Sequence, residues 1–273
     1  MFKNRLIIIT GGSSGLGKAL AHRLLKKGAS IALIARDGQK LSAVKAELAK
    51  ASGASQKIGA YSCDVSDFAA VEKTMTAIVN ELGLPYMLIN SAGVLYEGYF
   101  EKMPLSVFRR LMDINYFGTL HCIRAVLPFF KKSGKGRIVN ISSLAGLIGT
   151  FGYSAYCSSK FAVNGLTEAL RVELKPQKIR FHLVCPGEFE SPMVDELNSY
   201  RSEENRLMTQ TVPVLDLDTV ADETIRGIEK GRYLIVPGRI PRLLEFCNRT
   251  LPRLGRSIQD YKLKKIYRGP NRE

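Results

Sequence analysis

Histidine and cysteine are both scarce in this chain, and their placement says more than their number. The three histidines, His22, His121 and His182, stand far apart and beside no acidic or cysteine cluster, so no metal is expected. The five cysteines, Cys63, Cys122, Cys157, Cys185 and Cys247, are odd in number, widely spaced and without a C-x-x-C pair. That pattern argues against both a disulfide framework and a zinc site, and predicts reduced, mostly buried thiols. Acidic residues are in short supply too, 25 against 40 Lys and Arg, which leaves a net charge of +15. An excess of this size attracts phosphates, nucleic acid or an anionic membrane face, and is silent on fold. With no nucleic-acid motif and no array of stacking aromatics, a nucleic-acid partner is not expected.

Long apolar runs are also missing. Leu6 to Ile9 is too short for the apolar region of a secretory signal and leads straight into glycines, so cytoplasmic residence is the expectation. The uncharged stretch 138–159 has the length of a membrane span, yet it contains Asn140, several serines and three glycines. A buried strand followed by a loop fits it better, because spans are predominantly apolar. No repeat, low-complexity tract or linker precedes residue 238. The economical division is one domain, 1–238, followed by an extension, 239–273.

What is present is an alternation of short β-branched runs and longer helical patterns. Leu6–Thr10, Ile31–Ala35, Ile58–Cys63, Met87–Asn90, Arg137–Ser142 and Ile179–Cys185 read as strands, with a seventh at Tyr233–Val236. Several are apolar throughout, as strands covered on both faces should be. Between them lie amphipathic patterns such as Leu16, Ala19, Leu20 and Leu24 opposite Lys18, Arg23 and Lys26, a helix ending at Gly28. Strand, helix, strand repeated in this way predicts a doubly wound parallel α/β sheet of the Rossmann type.

The first strand runs into Thr10-Gly11-Gly12-Ser13-Ser14-Gly15-Leu16-Gly17 and then the helix. Glycines allow a tight turn and close backbone approach, while a helix N-terminus offers free N–H groups to a pyrophosphate. A glycine cluster alone could be a turn without ligand; the strand-turn-helix context favours a dinucleotide. The second strand ends Ile34-Ala35-Arg36. An acid there would bind the ribose hydroxyls of NAD, whereas an arginine accepts the extra phosphate of NADP, so NADP(H) is the predicted cofactor. Two other readings stay open: Arg36 as a solvated strand end, or Asp37 turned inward.

Tyr156 and Lys160 are four apart, on one face of a helix predicted over Ser154–Lys175. A nearby ammonium would lower the phenol's pKa from about 10 and make it usable as acid or base near neutrality. Taken alone, such a pair is more often surface decoration.

The motifs together resemble the short-chain dehydrogenase/reductase family over most of Leu6 to Pro237. The resemblance rests on T-G-G-S-S-G-L-G at Thr10, C-D-V at Cys63, N-S-A-G at Asn90, I-N at Ile114, I-S-S at Ile141, Y-C-S-S-K at Tyr156 and P-G at Pro186. It implies a catalytic tetrad in which Tyr156 protonates a carbonyl oxygen while hydride reaches carbon, and Lys160 binds the nicotinamide ribose and depresses the tyrosine pKa. Ser143 would hydrogen-bond the substrate oxygen and Asn115 would hold a relay water. For the cofactor it implies Gly11, Ser13, Ser14, Gly15, Leu16 and Gly17 at the phosphates, Asp64 and Val65 at adenine, and Asn90 with Gly93 near the adenine-side ribose. Ile141, Pro186 and Gly187 would flank nicotinamide, with Ser191 where a threonine often meets the carboxamide. Within the family the likeness is to 3-ketodihydrosphingosine reductases, which reduce a long-chain keto-amine. It is carried by R-L-M-D-I-N-Y-F-G from Arg110, the run from Ser158 to Pro176, and E-E-N-R-L from Glu203.

The expected activity is therefore NADPH-dependent reduction of a hydrophobic ketone. Alternatives are a reductase of another steroid- or retinoid-like alcohol or ketone, and a non-catalytic NADP-sensing scaffold. The resemblance also implies a homodimer or homotetramer through the helices after strands four and five. The segment from Glu188 to Asp216, with Phe189, Met193, Val194 and Leu197, reads either as a lid over a greasy substrate or as a plain surface helix. From Arg239 onward, ten Lys and Arg face three acids, placing seven of the fifteen net charges in the last 35 residues. Apolar stripes at Ile240, Leu243, Leu244, Cys247 and Leu251, then at Leu254, Ile258 and Tyr261, run beside these charges. Basic amphipathic helices of this kind either lie on anionic membranes or dock on their own core, and both readings stay open.

Overall fold

In the computed structural model, which describes residues 1–209 and 212–267, each β-branched run becomes a strand of one parallel sheet. The strands are β1 (Leu6–Thr10), β2 (Ser30–Ala35), β3 (Ile58–Ser62), β4 (Pro85–Asn90), β5 (Gly136–Ile141), β6 (Ile179–Val184) and β7 (Leu234–Ile235). Their order is β3-β2-β1-β4-β5-β6-β7, and every neighbouring pair is parallel. The helices are α1 (Gly15–Lys26), α2 (Gly38–Ala51), α3 (Phe68–Leu82), α4 (Leu105–Leu111), α5 (Gly118–Lys132) and α6 (Ser154–Glu173). They continue with α7 (Pro192–Asn198), α8 (Glu203–Thr209), α9 (Leu217–Glu229), α10 (Arg239–Thr250) and α11 (Pro252–Tyr267).

β1 shows why the central strands are apolar at every position. Alternate side chains point to opposite faces, and here both faces are covered. Ile7 and Ile9 pack with Leu20 and Leu24 of α1, Leu41 of α2 and Ile228 of α9. Leu6 and Ile8 pack on the other side with Met75 of α3 and Val126 and Phe130 of α5. Full burial of each such side chain contributes about 1.5–3 kcal/mol, so the two layers carry the domain.

Some boundaries differ from the sequence reading. Cys63, Ser142 and Cys185 lie just past the strands expected to contain them, although their N–H groups still donate to Ala35, Val184 and Ile235 at 2.8–2.9 Å. At each of these points the chain leaves the ladder toward the carboxyl edge of the sheet. α6 stops at Glu173 rather than Lys175: Pro176 has no N–H to continue the helical ladder, and the chain tightens into a 3-10 turn over Lys175–Gln177.

The sheet order reverses at β1, whose neighbours are β2 and β4. Helices there depart to opposite faces and leave a crevice at the carboxyl ends of the strands, the usual ligand position in such sheets. α6 is fastened beside this crevice by a buried polar chain. Asn90 Nδ2 donates to Asn140 Oδ1 at 2.9 Å, Asn140 Nδ2 donates to Thr167 Oγ1 at 2.8 Å, and the Thr167 hydroxyl donates to the Val163 carbonyl at 2.6 Å.

The C-terminal helices do not hang free. Asn248 Nδ2 donates to the Leu147 carbonyl at 3.2 Å, Gln259 Nε2 to the Gly149 carbonyl at 3.1 Å, and Arg242 pairs with Glu223 at 2.9 Å. Of the two readings of the tail, docking on the core is thus realised. Even so, Ile240, Leu243, Phe246, Leu251, Leu254, Ile258 and Tyr261 remain exposed. The last six residues of the tail, 268–273, lie outside the described residues. Among the described residues no helix is long and apolar enough to cross a membrane.

Candidate active site

The turn after β1 is shaped by close backbone packing. A Cβ at Gly17 would stand 2.3 Å from the Gly11 carbonyl oxygen, so only glycine lets α1 begin so near the strand. Thr10 Oγ1 accepts from Ser91 N and Ala92 N at 3.1 Å each, which ties this turn to the loop after β4. The first turn of α1 has no acidic residue, and Ser14 makes no side-chain cap. Its N–H groups therefore stay available to an anion.

These turns open into a cavity of about 500 Å3. Of the residues singled out in the sequence, Gly11, Ser14, Gly15, Leu16, Gly17, Gly93, Ile141, Ser143, Tyr156, Lys160, Pro186, Gly187 and Ser191 line it. Ser13, Arg36, Asp64, Val65, Asn90 and Asn115 do not. The Val65 side chain packs into the core against α5, where a Cβ on Gly118 would lie 2.6 Å from its Cγ2, so only its backbone is left to meet adenine. Asn90 sits beneath the glycine turn in the polar chain described above, its Oδ1 buried with no partner among the described residues.

Arg36 and Asp37 separate cleanly. Asp37 Oδ1 accepts from Lys40 N at 3.0 Å as the N-cap of α2, a bond that holds its carboxyl below the ordinary range. The inward-turned Asp37 reading fails for that reason. Arg36 is exposed at the end of β2, and its guanidinium has no hydrogen bond or ion pair among the described residues. Asp64, across from it, accepts from Ser66 N at 2.9 Å and Ser66 Oγ at 2.7 Å. Burial alone would raise the Asp64 pKa, but these bonds and the Arg36 charge lower it.

Tyr156 and Lys160 do share a face of α6. The ammonium lies 5.7 Å from the phenol ring centroid and donates to the Ile141 carbonyl at 3.1 Å. The Ser143 hydroxyl accepts from Ala145 N at 3.1 Å, and its nearness to Tyr156 favours the phenolate. Asn115 is fully buried, in a wide π-helical turn (Met112–Phe117) that leads into α5. Its Oδ1 accepts from Val94 N at 2.8 Å, and its Nδ2 donates to Val94 O at 3.0 Å and Ser159 Oγ at 2.9 Å. The side chain braces the β4 loop against α6, leaving one Oδ1 lone pair for the expected water.

The electrostatics correct one expectation. Burial pushes the Tyr156 phenol up to about 12, with the nearby Ser143 hydroxyl opposing, rather than the lysine pulling it down. Burial likewise lowers the Lys160 ammonium to about 8. A dry site disfavours phenolate and ammonium alike, and at this separation desolvation outweighs their attraction. Tyr156 thus holds its proton throughout the neutral range, as a proton donor must.

The segment after β6 covers the cavity. Phe189, Met193, Val194 and Leu197 face into it, so the plain surface-helix reading does not hold. Residues 210 and 211 of this segment lie outside those described. It is clamped by Arg201, which donates to Glu188 Oε1 and Oε2 at 2.8 and 2.7 Å, to Asn205 Oδ1 at 2.7 Å, and to Thr209. Sequence reasoning missed this clamp, and also Ser159 and Thr10. Ser159 lies inside the Y-C-S-S-K motif and was within reach; the clamp has no signature, because its members belong to no periodic pattern.

This chain belongs to the short-chain dehydrogenase/reductase family: the family model described as short chain dehydrogenase matches residues 5–202. It is an oxidoreductase acting on CH–OH or C=O groups. It is 39% identical over 229 residues to 3-ketodihydrosphingosine reductase of Bos taurus, covering 83% of this chain and 69% of that protein. To the protein of the same name from Dictyostelium discoideum it is 38% identical over 248 residues, covering 85% and 74%. Among solved structures, actinorhodin polyketide ketoreductase crystallised with NADPH superposes with a TM-score of 0.78 at 27% identity, covering 86% of this chain and 97% of that one.

Because kcat/KM reports the free enzyme, it should stay level through neutrality and fall as pH rises through about 8, where Lys160 loses its charge. The stability contribution of Lys160 moves the other way. Above about 8 the folded state holds a neutral amine while the unfolded chain still binds the proton, so stability should rise until the ordinary lysine range is reached. A pH–rate profile beside denaturant melts checks both directions; a rate that holds level to pH 10 or so would contradict the assignment.

Proposed function

We propose that this protein is an NADPH-dependent reductase of hydrophobic, long-chain ketones of the 3-ketodihydrosphingosine kind. The observation that carries the reading is Tyr156 with the buried Lys160 ammonium 5.7 Å from its ring centroid and Ser143 on the same wall of a cavity whose far side is aliphatic. The named relatives support the substrate class. The unpaired Arg36, with Asp37 spent on its helix, supports NADPH over NADH, as does the ketoreductase crystallised with NADPH.

The residues present fit a dinucleotide. The Gly11–Gly17 turn and the first turn of α1 would hold the pyrophosphate, the loop at Gly93 the adenine-side ribose and Lys160 the nicotinamide ribose; Arg36 would take the 2′-phosphate. Once bound, NADPH supplies the hydride. Ser143 orients the ketone oxygen, and Tyr156 gives that oxygen its proton. Lys160, donating to the Ile141 carbonyl, keeps a positive charge beside the phenol as the proton leaves. α7 and its clamp keep water from the reacting carbon.

The exposed aliphatic face of α10 and α11 supports a further part of the reading. Leu243, Leu251, Leu254 and Ile258 belong both to the cavity lining and to the outer surface, and eight Lys and Arg lie along 239–267. We read this face as a peripheral contact with an anionic membrane on the cytoplasmic side, from which a lipid ketone enters the cavity. Phe117, Phe161 and Val172, exposed on and just before α5 and on α6, support self-association as a homodimer or homotetramer.

With purified enzyme and 3-ketodihydrosphingosine, NADPH oxidation should be measurable. Tyr156→Phe should reduce it by about 10²–10⁴-fold while NADPH affinity, read by fluorescence titration, stays close to wild type. Loss of NADPH binding in that variant would assign Tyr156 a structural role instead. Arg36→Asp should move the kcat/KM preference toward NADH; unchanged selectivity would mean that another residue reads the phosphate. Replacing Ile240, Phe246 and Tyr261, none of which lines the cavity, by Asp should abolish co-sedimentation with phosphatidylserine vesicles and spare turnover of a detergent-dispersed ketone. Undiminished sedimentation would remove the membrane reading.

A further inference from the structure

We infer that Glu188 is the receptor for an ammonium group carried by the substrate next to its ketone. The inference rests on the ketone-reductase reading above and names what that cavity selects. Glu188 is the one acid among the described residues lining the cavity, and its side chain retains 17% exposure there. It follows Pro186 and Gly187, and the Pro186 carbonyl accepts from Leu144 N at 2.8 Å. That bond holds the Glu188 strand end beside the turn carrying Ser143, which orients the reacting oxygen. Its own backbone is fixed as well, since the Glu188 carbonyl accepts from Leu215 N at 3.0 Å.

The charge around this carboxylate is unbalanced. Arg201, with a side chain only 4% exposed, bonds both oxygens of Glu188 and also feels the charge of Glu97. Glu97 is itself 3% exposed and, among the described residues, its carboxylate accepts only from Ser202, at 3.0 Å from N and 2.7 Å from Oγ. Its seat is tight: Gly152 has φ +76°, and a Cβ there would lie 2.3 Å from Glu97 Oε1. Both carboxylates act on Tyr153, whose ring stands 5.7 Å from that of Tyr156. Two withdrawn carboxylates thus share one guanidinium, and among the described residues no second cation bonds either. Charges taken out of water call for compensation. Arg201 occupies only part of the acceptor capacity of Glu188, since a carboxylate offers about four lone-pair sites. An ammonium one carbon from the ketone would fill a remaining site and supply the missing positive charge while its carbonyl meets Ser143 and Tyr156. A lid clamp alone would need one acid for one arginine; the second acid is what the ammonium explains.

The test compares 3-ketodihydrosphingosine with its desamino analogue, a long-chain 1-hydroxy-3-ketone, under identical detergent conditions. Wild-type enzyme should prefer the amino-ketone by about ten- to hundredfold in kcat/KM, the range expected of a charged hydrogen bond. Glu188→Gln should erase that preference, lowering kcat/KM for the amino-ketone through KM by about ten- to hundredfold more than for the desamino ketone. Equal losses on both ketones would show a clamp only and overturn the inference, as would a wild type indifferent to the amine. The wild-type comparison needs no variant and stands even if Glu188→Gln fails to fold. If the wild type reduces the desamino ketone as well as the amino-ketone, the reductase reading survives and the ammonium site does not. If neither ketone is reduced, both fail.

Discussion

Burying a phenol and an ammonium together on one helix is the constraint around which the rest of the molecule is arranged. Tyr156 and Lys160 both sit where water is largely excluded, so each is pushed toward its neutral form. Such a pair keeps its geometry only if the surrounding polar groups are satisfied. The Ile141 carbonyl accepts from Lys160, Ser143 meets Tyr156, and Asn115 holds the facing loop through Val94 and Ser159. Behind them the Asn90–Asn140–Thr167 chain fastens α6 to two strands. Loss of any one link would leave a buried donor or acceptor unpaired, at a cost of about 1–3 kcal/mol.

The same burial sets the resting protonation state of the site. A phenol with its pKa near 12 keeps its proton at neutral pH, so the free site is poised to give a proton to a carbonyl oxygen. Reduction ends on the same phenolate that alcohol oxidation starts from, so the dry environment raises the cost of that state for both directions. The spacing of Tyr156 and Lys160 alone favours the opposite conclusion, because it shows the helpful ammonium and hides the desolvation.

Most of the architecture could be read from the chain because its signals are local. β-branched runs, helical spacing and glycine turns gave the seven strands, the parallel sheet and the crevice, with differences of a residue or two where a strand leaves its ladder or Pro176 ends a helix. Thirteen of the singled-out residues line the cavity because their motifs lie at the carboxyl ends of strands, which the topology brings together. What escaped is what depends on contacts distant in sequence. Val65 turns into the core because Gly118 makes room for it, and Ser202 of the covering segment reaches Glu97 across 105 positions. Neither relation leaves a period or a motif.

The tail shows how one stretch of sequence can dock on the core and still leave an aliphatic face outside. Its polar side chains, Asn248 and Gln259, bond to the loop between β5 and α6, and that anchoring completes the cavity. Its leucines at 243, 251 and 254 then serve two surfaces, one facing the cavity and one facing outward. A helix pair needing full burial would have turned these side chains into the core. The exposed set is instead continuous with the cavity lining, because Leu243, Leu251, Leu254 and Ile258 belong to both.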